Sequence, residues 1–374
     1  MNKNLTKWIC FMGSAFILIF LFNACNKDDS PAAPINNAPI INSVTAQPDR
    51  LAYGETSNIV VNATDQDNDN LTYEWTCDNG NFTGATTSST ASWLAPYQQG
   101  SCYLDVKVKD GTATTTSGVN IQVMGLFFDE FSSDLAKWIT SYSDAWISNS
   151  EVHIKGNTNG FYGTLYHALS SYVAPQYTLQ ITITNINTME ANEFYALYSK
   201  VNDSGSITIR YWMFAIEPNT SGENWALLCF VSGSGSSAWV LLASDSFGES
   251  SLIHTGINQV NELSYTIEPD KTVILKVGNQ LLYQSDEILN IENTFGMQIT
   301  MDLVRVGCRT FYQREVKMDD ATVITPSQPL SAESINIESG SQPLIQEDDV
   351  KSPIPMINKS ELITLREFLT RNSN

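Results

Sequence analysis

From about residue 39 to about residue 325 the chain is written with a period of two. Cys102, Leu104, Val106 and Val108 alternate with Tyr103, Asp105, Lys107 and Lys109, and Tyr177, Leu179, Ile181 and Ile183 alternate with Thr178, Gln180, Thr182 and Thr184. Only an extended strand sends successive side chains to opposite faces, so each stretch predicts a strand with one side in a core and one in water. Other runs, Ile207 to Ile216 and Trp225 to Val231, are apolar at both parities and are expected to lie centrally in a sheet or to be covered on both sides. Turn signals separate the strands. Asp65-Gln66-Asp67-Asn68-Asp69-Asn70 is a turn that no strand could contain, and Gly278-Asn279 joins Thr272–Val277 to Gln280–Gln284 as a hairpin. The pattern predicts an all-β chain of two sandwich domains, residues 39–124 and 126–325.

The chain has 374 residues and a formal net charge of −20. That charge repels phosphate backbones, and no Lys/Arg cluster offsets it locally, so nucleic acid is excluded as a partner. Six cysteines are present; beyond the first 25 residues they are Cys77, Cys102, Cys229 and Cys308. An even remainder in an oxidising compartment permits two disulfides without proving either.

The first 24 residues read as a targeting segment. Lys3 and Lys7 precede an apolar run from Trp8 to Phe22, which has the length of a signal h-region and is too short for a membrane span. The run ends in Phe22-Asn23-Ala24-Cys25, which resembles the lipobox of bacterial lipoproteins, with Phe22 where Leu is usual. The resemblance implies lipidation of Cys25 and membrane attachment through the lipid. Lys27-Asp28-Asp29 resembles the export signal of surface lipoproteins in polysaccharide-degrading Gram-negative bacteria, which implies an outer-membrane lipoprotein exposed at the cell surface. A Pro/Ala/Asn linker completes residues 25–38.

In the first domain, Ala63-Thr64-Asp65, Leu71-Thr72-Tyr73-Glu74-Trp75, Trp93-Leu94-Ala95-Pro96, Gly100 to Tyr103 and Asp110-Gly111 occur in order. Together they resemble bacterial Ig-like domains of the polycystic-kidney-disease type, which usually serve as spacers. In that family the strand bearing the Trp and the strand beginning near Gly100 are neighbours. Cys77 and Cys102 fall at inward positions of those two strands, so the resemblance implies a cross-strand disulfide, worth roughly 3–4 kcal/mol in the chain-entropy model. Asp65, Asp67 and Asp69 have two readings. Alternating acids in a tight turn converge oxygens on Ca²⁺, and they equally satisfy a solvated turn.

The second domain opens on Phe128-Asp129-Glu130-Phe131 with Leu135 and Trp138, contains the Val273–Tyr283 hairpin, and closes on Val316-Lys317-Met318-Asp319-Asp320-Ala321-Thr322-Val323. These pieces resemble the concanavalin A-like lectin/glucanase superfamily, particularly its laminin-G-like members, and imply a jelly-roll sandwich that binds glycans or proteins. The terminal strands of such sandwiches commonly pair, which would bring Asp129 to Asp319 or Asp320 as metal ligands; edge-of-strand solvation is the other reading. For a glycan site the sequence offers Arg210 and Trp212 on one strand face, with Tyr195 from a neighbour, although most aromatics in a sandwich are core. The glucanase branch of that superfamily carries its catalytic acids as Glu-x-Asp-x-x-Glu on one strand, and no such run is present. Nor is there a His-Glu-x-x-His or a Gly-x-Ser-x-Gly.

The predicted partner is therefore a polysaccharide or glycoconjugate, with a surface protein as the alternative. A glucanase-type hydrolase remains a further alternative, for which Glu193 and Glu217 would be a remote carboxylate pair. The layout is similar to outer-membrane starch-utilisation lipoproteins, which also set an Ig-like stalk before carbohydrate-binding domains; this is an analogy of architecture. Residues 326–374 turn polar and predict a disordered tail, with a short helix over 360–371 that Ser360 caps and Leu362, Leu365, Phe368 and Leu369 stripe.

Overall fold

The computed structural model describes residues 35–132, 134–141, 143–156, 162–173, 176–186, 195–199, 208–216, 223–232, 237–242, 248–270, 272–285, 302–311, 315–325, 363–364, 367 and 371. The chain is all-β, a smaller sandwich followed by a larger jelly-roll sandwich.

The smaller sandwich packs two four-stranded sheets. One runs Ile40–Gln47, Thr56–Thr64, Thr90–Leu94, Asn81–Phe82, and the other runs Arg50–Leu51, Thr114–Val123, Gly100–Lys109, Thr72–Cys77. The predicted alternation holds along Gly100–Lys109, where Cys102, Leu104, Val106 and Val108 are buried. Trp75 and Trp93 are buried as well, and each indole N–H donates to a backbone carbonyl: Trp75 Nε1 to Ser88 at 2.8 Å and Trp93 Nε1 to Asn79 at 3.0 Å. A buried indole thus loses no hydrogen bond on leaving water.

The larger sandwich packs an eight-stranded sheet on a nine-stranded one. The eight-stranded sheet runs Ser143–Ser148, Glu151–Gly156, Glu315–Ile324, Tyr177–Asn185, Val260–Ile267, Val273–Val277, Gln280–Ser285, and Phe127–Asp129 also pairs with Glu315–Ile324. The nine-stranded sheet runs Ile139–Ser141, Tyr162–Val173, Asp302–Phe311, Tyr195–Ser199, Thr208–Ile216, Glu223–Ser232, Ser237–Leu241, Ile363–Thr364, with Gly248–Glu249 beside Glu223–Ser232. The expected hairpin is present, with Gly278 at φ +56 in its turn, and the first and last strands of the domain pair as expected.

The two sandwiches meet without an intervening linker. Leu51 O accepts from Met124 N at 2.9 Å, Tyr53 N donates to Gly125 O at 2.7 Å, and Leu126 N donates to Val323 O at 2.7 Å. Gly125 is required here, because a Cβ would lie 2.3 Å from Val323 O. Leu51, Tyr53, Leu126 and Phe127 are buried within one continuous apolar cluster that includes the cores of both sandwiches. Arg50 adds ion pairs across the seam, 2.9 Å to Asp320 and 3.7 Å to Glu130, and lies 4.7 Å over the Phe128 ring, while Lys137 reaches Glu55 at 3.3 Å.

Two expectations are corrected. Cys77 and Cys102 are free thiols rather than a disulfide. Their strands are neighbours, yet Cys77 pairs with Leu104, which leaves Cys102 two residues along the ladder. Diagonal positions of that kind are about 7–8 Å apart, beyond disulfide reach. Burial pushes both thiols up, Cys102 to about 11. In the tail, Ile363–Thr364 is a strand rather than the start of a helix. Ile363 pairs in parallel with Val240 and is buried, which suits a β-branched residue; Glu367 and Arg371 beyond it are helical. The stretch predicted to be disordered, up to residue 362, lies outside the described residues, as do residues 1–34 with Cys25.

The strand order also decides what the sequence left open about Cys229 and Cys308. Two strands, Tyr195–Ser199 and Thr208–Ile216, separate theirs. Three strand spacings amount to about 14 Å, twice what a disulfide spans.

Candidate functional site

Register decides which positions face the shared core. In the nine-stranded sheet, Phe214, Ile216, Leu227, Cys229 and Val240 belong to that core. The opposite parity carries Ala215, Ala226, Leu228, Phe230, Trp239 and Leu241, all buried although none belongs to the core cluster. Phe230 and Trp239 meet there with ring centroids 5.2 Å apart. These strands are therefore apolar and buried on both sides, as their sequence requires.

The three residues proposed from sequence as a glycan site fall in this sheet. Position 195 pairs with Ile216, and position 212 pairs with Ser199 and Cys229. Which way the Tyr195 and Trp212 side chains face lies outside what is described. Arg210 falls at an irregularity between Ile209 and Tyr211. The pair Glu193 and Glu217 lies outside the described residues.

The eight-stranded sheet is different. Val152, Ile154, Tyr177, Leu179, Ile181, Ile183, Val316 and Met318 point into the core. The other side carries Thr178, Gln180, Thr182 and Thr184, then Thr266 and Glu262, joined by hydrogen bonds such as Thr178–Thr266 at 2.7 Å and Gln180–Glu262 at 2.5 Å. On the same side, toward one edge, stand Asp144, Trp146, Glu151, His153, Lys155, Glu315, Lys317 and Asp319. Trp146 is the aromatic among them and is 39% exposed. No sequence signal singled it out, because its value depends on which face an edge strand turns outward.

Asp129, Asp319 and Asp320, offered by the sequence as metal ligands, each have partners within the protein. Asp129 Oδ1 accepts from Phe131 N at 2.8 Å and its Oδ2 from Trp138 Nε1 at 2.7 Å. It ties the Phe131 backbone, at φ +51, to an indole that packs 5.2 Å from the Phe131 ring. The acidic-Phe-to-Trp pattern is therefore a structural lock. Asp320 pairs with Arg50 across the domain seam. Asp319 Oδ1 accepts from Asp320 N at 2.8 Å, and burial, then the neighbouring Asp320 and Glu151 carboxylates, raise its pKa above the ordinary carboxylate value.

Asp65, Asp67 and Asp69 do converge, with one ligand atom from each lying within 4.8 Å of the others. Asp65 Oδ1 accepts from Asp67 N at 2.8 Å and Asp69 N at 3.2 Å, which closes the turn. Asp67 accepts from Asn37 N at 2.6 Å and from Asn37 Nδ2, so the turn also fastens the start of the first strand. Asp65 Oδ2 is buried and accepts no hydrogen bond. Among the described residues this is the one acidic group with metal-ligand convergence.

No protein-family model matches the chain, and no curated protein matches it in sequence. Solved structures resemble it over about half its length. One is the potassium-bound carbohydrate recognition domain of Emp46p, 9% identical, covering 52% of this chain and 94% of that one at a TM-score of 0.35. Another is described as endo-acting O-glycanases that members of the human gut microbiota express to initiate mucin breakdown, 11% identical over 54% of this chain and 99% of that one, TM-score 0.37. The cellulose induced protein Cip1 is 12% identical over 54% and 97%, TM-score 0.36. Likenesses this distant carry no argument about ligand or chemistry.

Proposed function

We propose that the protein is a surface lipoprotein that binds glycan through its larger sandwich, with the smaller sandwich as its support. The observation that carries the reading is the outward side of the eight-stranded sheet: a field of hydroxyl, amide and charged groups from which a single exposed indole, Trp146, stands out. Sugars present hydroxyl edges and apolar ring faces, and such a surface answers both. Lipid attachment at Cys25 and display outside the cell are supported by the apolar run ending at Ala24-Cys25 and by Lys27-Asp28-Asp29. The mature chain should be retarded in affinity gels containing polysaccharide and release no reducing ends. Turnover abolished by replacing one Glu would instead establish the hydrolase alternative, and retention on no polysaccharide would point to a protein partner. Cys25→Ser should move the protein out of the membrane fraction, and its persistence there would refute the lipid anchor.

A calcium ion at Asp65, Asp67 and Asp69 is the second element of the reading, favoured by the buried, unpartnered Asp65 Oδ2. A hard cation takes such carboxylate oxygens as ligands. Millimolar calcium should raise the melting temperature of the wild type and not that of Asp65→Asn; equal shifts in both would refute the site.

A further inference from the structure

Trp146 lies on Ser143–Ser148, an edge strand of the eight-stranded sheet, directly opposite His153. The two rings stack with centroids 5.1 Å apart and planes 17° from parallel. One face of the indole is thereby occupied, and the exposure of the residue lies on the other. His153 is held from behind, with Nδ1 2.8 Å from Glu315 Oε1. A carboxylate only accepts, so His153 Nδ1–H donates and the ring orientation is fixed. The His153 and Glu315 side chains are 14% and 20% exposed, so the support is largely sheltered while the indole is not. Lys317 Nζ, 2.9 Å from Glu151 Oε2, borders the group, and Lys155 stands between Asp144 and Glu315 in the ladder.

We propose that Trp146, backed by His153 and steadied by Glu315, is the stacking platform for a pyranose ring of a neutral glycan; this rests on the glycan-binding reading above. The C–H face of a pyranose is apolar and flat enough to lie on an indole, while its hydroxyl edge needs donors and acceptors at the rim. Here Asp144, Lys155 and the indole N–H supply them. A ring already stacked on one side loses little conformational freedom when a ligand covers the other, which is how a rigid platform gains affinity. Charge selects the class of glycan. Toward this edge of the sheet, four carboxylates, Asp144, Glu151, Glu315 and Asp319, stand with two lysines, Lys155 and Lys317, on a chain of net charge −20. Uronate-rich or sulfated polymers are repelled by that field, and uncharged hexose or pentose polymers are not.

The test measures retardation of the mature chain in gels containing starch, mixed-linkage β-glucan, mannan or xylan, and in parallel alginate or heparin. The wild type should bind at least one neutral polymer. Trp146→Ala should weaken that binding at least about tenfold, as loss of a central aromatic anchor does, with only a small fall in melting temperature. Trp146→Phe should keep most of the affinity, and His153→Ala should lose part of it. If Trp146→Ala binds as the wild type does, the platform is refuted and the glycan-binding reading stands. If the wild type binds none of these polymers, both fall. Equal or tighter binding to alginate or heparin overturns the neutral class.

Discussion

On the side of the eight-stranded sheet turned away from the core, Thr178, Gln180, Thr182 and Thr184 stand partly exposed beside Thr266 and Glu262, whereas the same side of the nine-stranded sheet holds Ala215, Ala226, Leu228, Phe230, Trp239 and Leu241, all buried. Two sheets of one sandwich thus meet their surroundings in opposite ways. One is a two-sided layer with a wet face, the other a layer apolar throughout. The difference teaches that an aromatic residue in this domain has no single meaning. Trp239 and Trp146 are both strand tryptophans, one 5% and the other 39% exposed, and only the second has a ring face available to a ligand.

The sharpest way to break the comparison is to truncate both. Trp239→Ala should cost about 3–5 kcal/mol through lost burial and the cavity left behind. Trp146→Ala should cost only about 1 kcal/mol, since what is lost is chiefly its stack on His153. Chemical denaturation of the two variants measures both, and comparable losses would erase the distinction between the faces.

A subtler probe is Asp319, a carboxyl on the wet face that burial and its acidic neighbours raise above 3.8. A raised carboxyl pKa means that the folded state resists ionisation. The cost is complete above the folded pKa, shrinks as pH falls through the window between folded and unfolded values, and is gone below about 3.8. Asp319→Asn retains an oxygen for the Asp320 N–H and should therefore melt higher than the wild type at neutral pH, with the advantage vanishing near pH 3. An advantage independent of pH would mean that packing, not charge, is responsible.

The smallest effect is expected at the rim where the wet face meets the smaller sandwich. Arg50 and Asp320 have side chains 34% and 39% exposed, and such pairs contribute about 0.2–1 kcal/mol. Arg50→Met should cost no more than that and should lose its salt dependence; a larger loss would show that the seam depends on the ion pair rather than on its backbone hydrogen bonds.

Much of the fold was legible because burial writes itself into a period of two. The parity of Gly100–Lys109 and Tyr177–Asn185, the hairpin at Gly278 and the covered strands around Phe214 and Leu228 all follow from local pattern. What was illegible depends on which distant strand lies beside which. Glu315 is 162 positions from the His153 it orients, and nothing between them announces the pairing. Asp129 accepts from the Trp138 indole, a partner that the sequence around it does not announce, because an acid at a strand end has the same spelling whatever it holds. The Cys77–Cys102 bond failed for a similar reason: inward parity and strand adjacency were read correctly, while the register, offset by two residues, is set by the ladder as a whole.

The strand Glu315–Ile324 sits between Glu151–Gly156 and Tyr177–Asn185, also pairs with Phe127–Asp129, and through Val323 O receives the Leu126 N–H at the seam. It is nearly the last part of the sandwich to be synthesised. Until residue 324 has left the ribosome, the eight-stranded sheet lacks the strand that joins its two parts and holds Phe127–Asp129, and the partners of Phe127 and His153 do not yet exist. The smaller sandwich, complete by Val123, folds while its neighbour waits. Contacts spanning nearly two hundred residues of chain are slow to form, so the apolar side of the larger domain's sheet stays uncovered until that strand joins it. A chain stopped short of residue 315 would keep the first domain intact and leave the second as an aggregation-prone remnant.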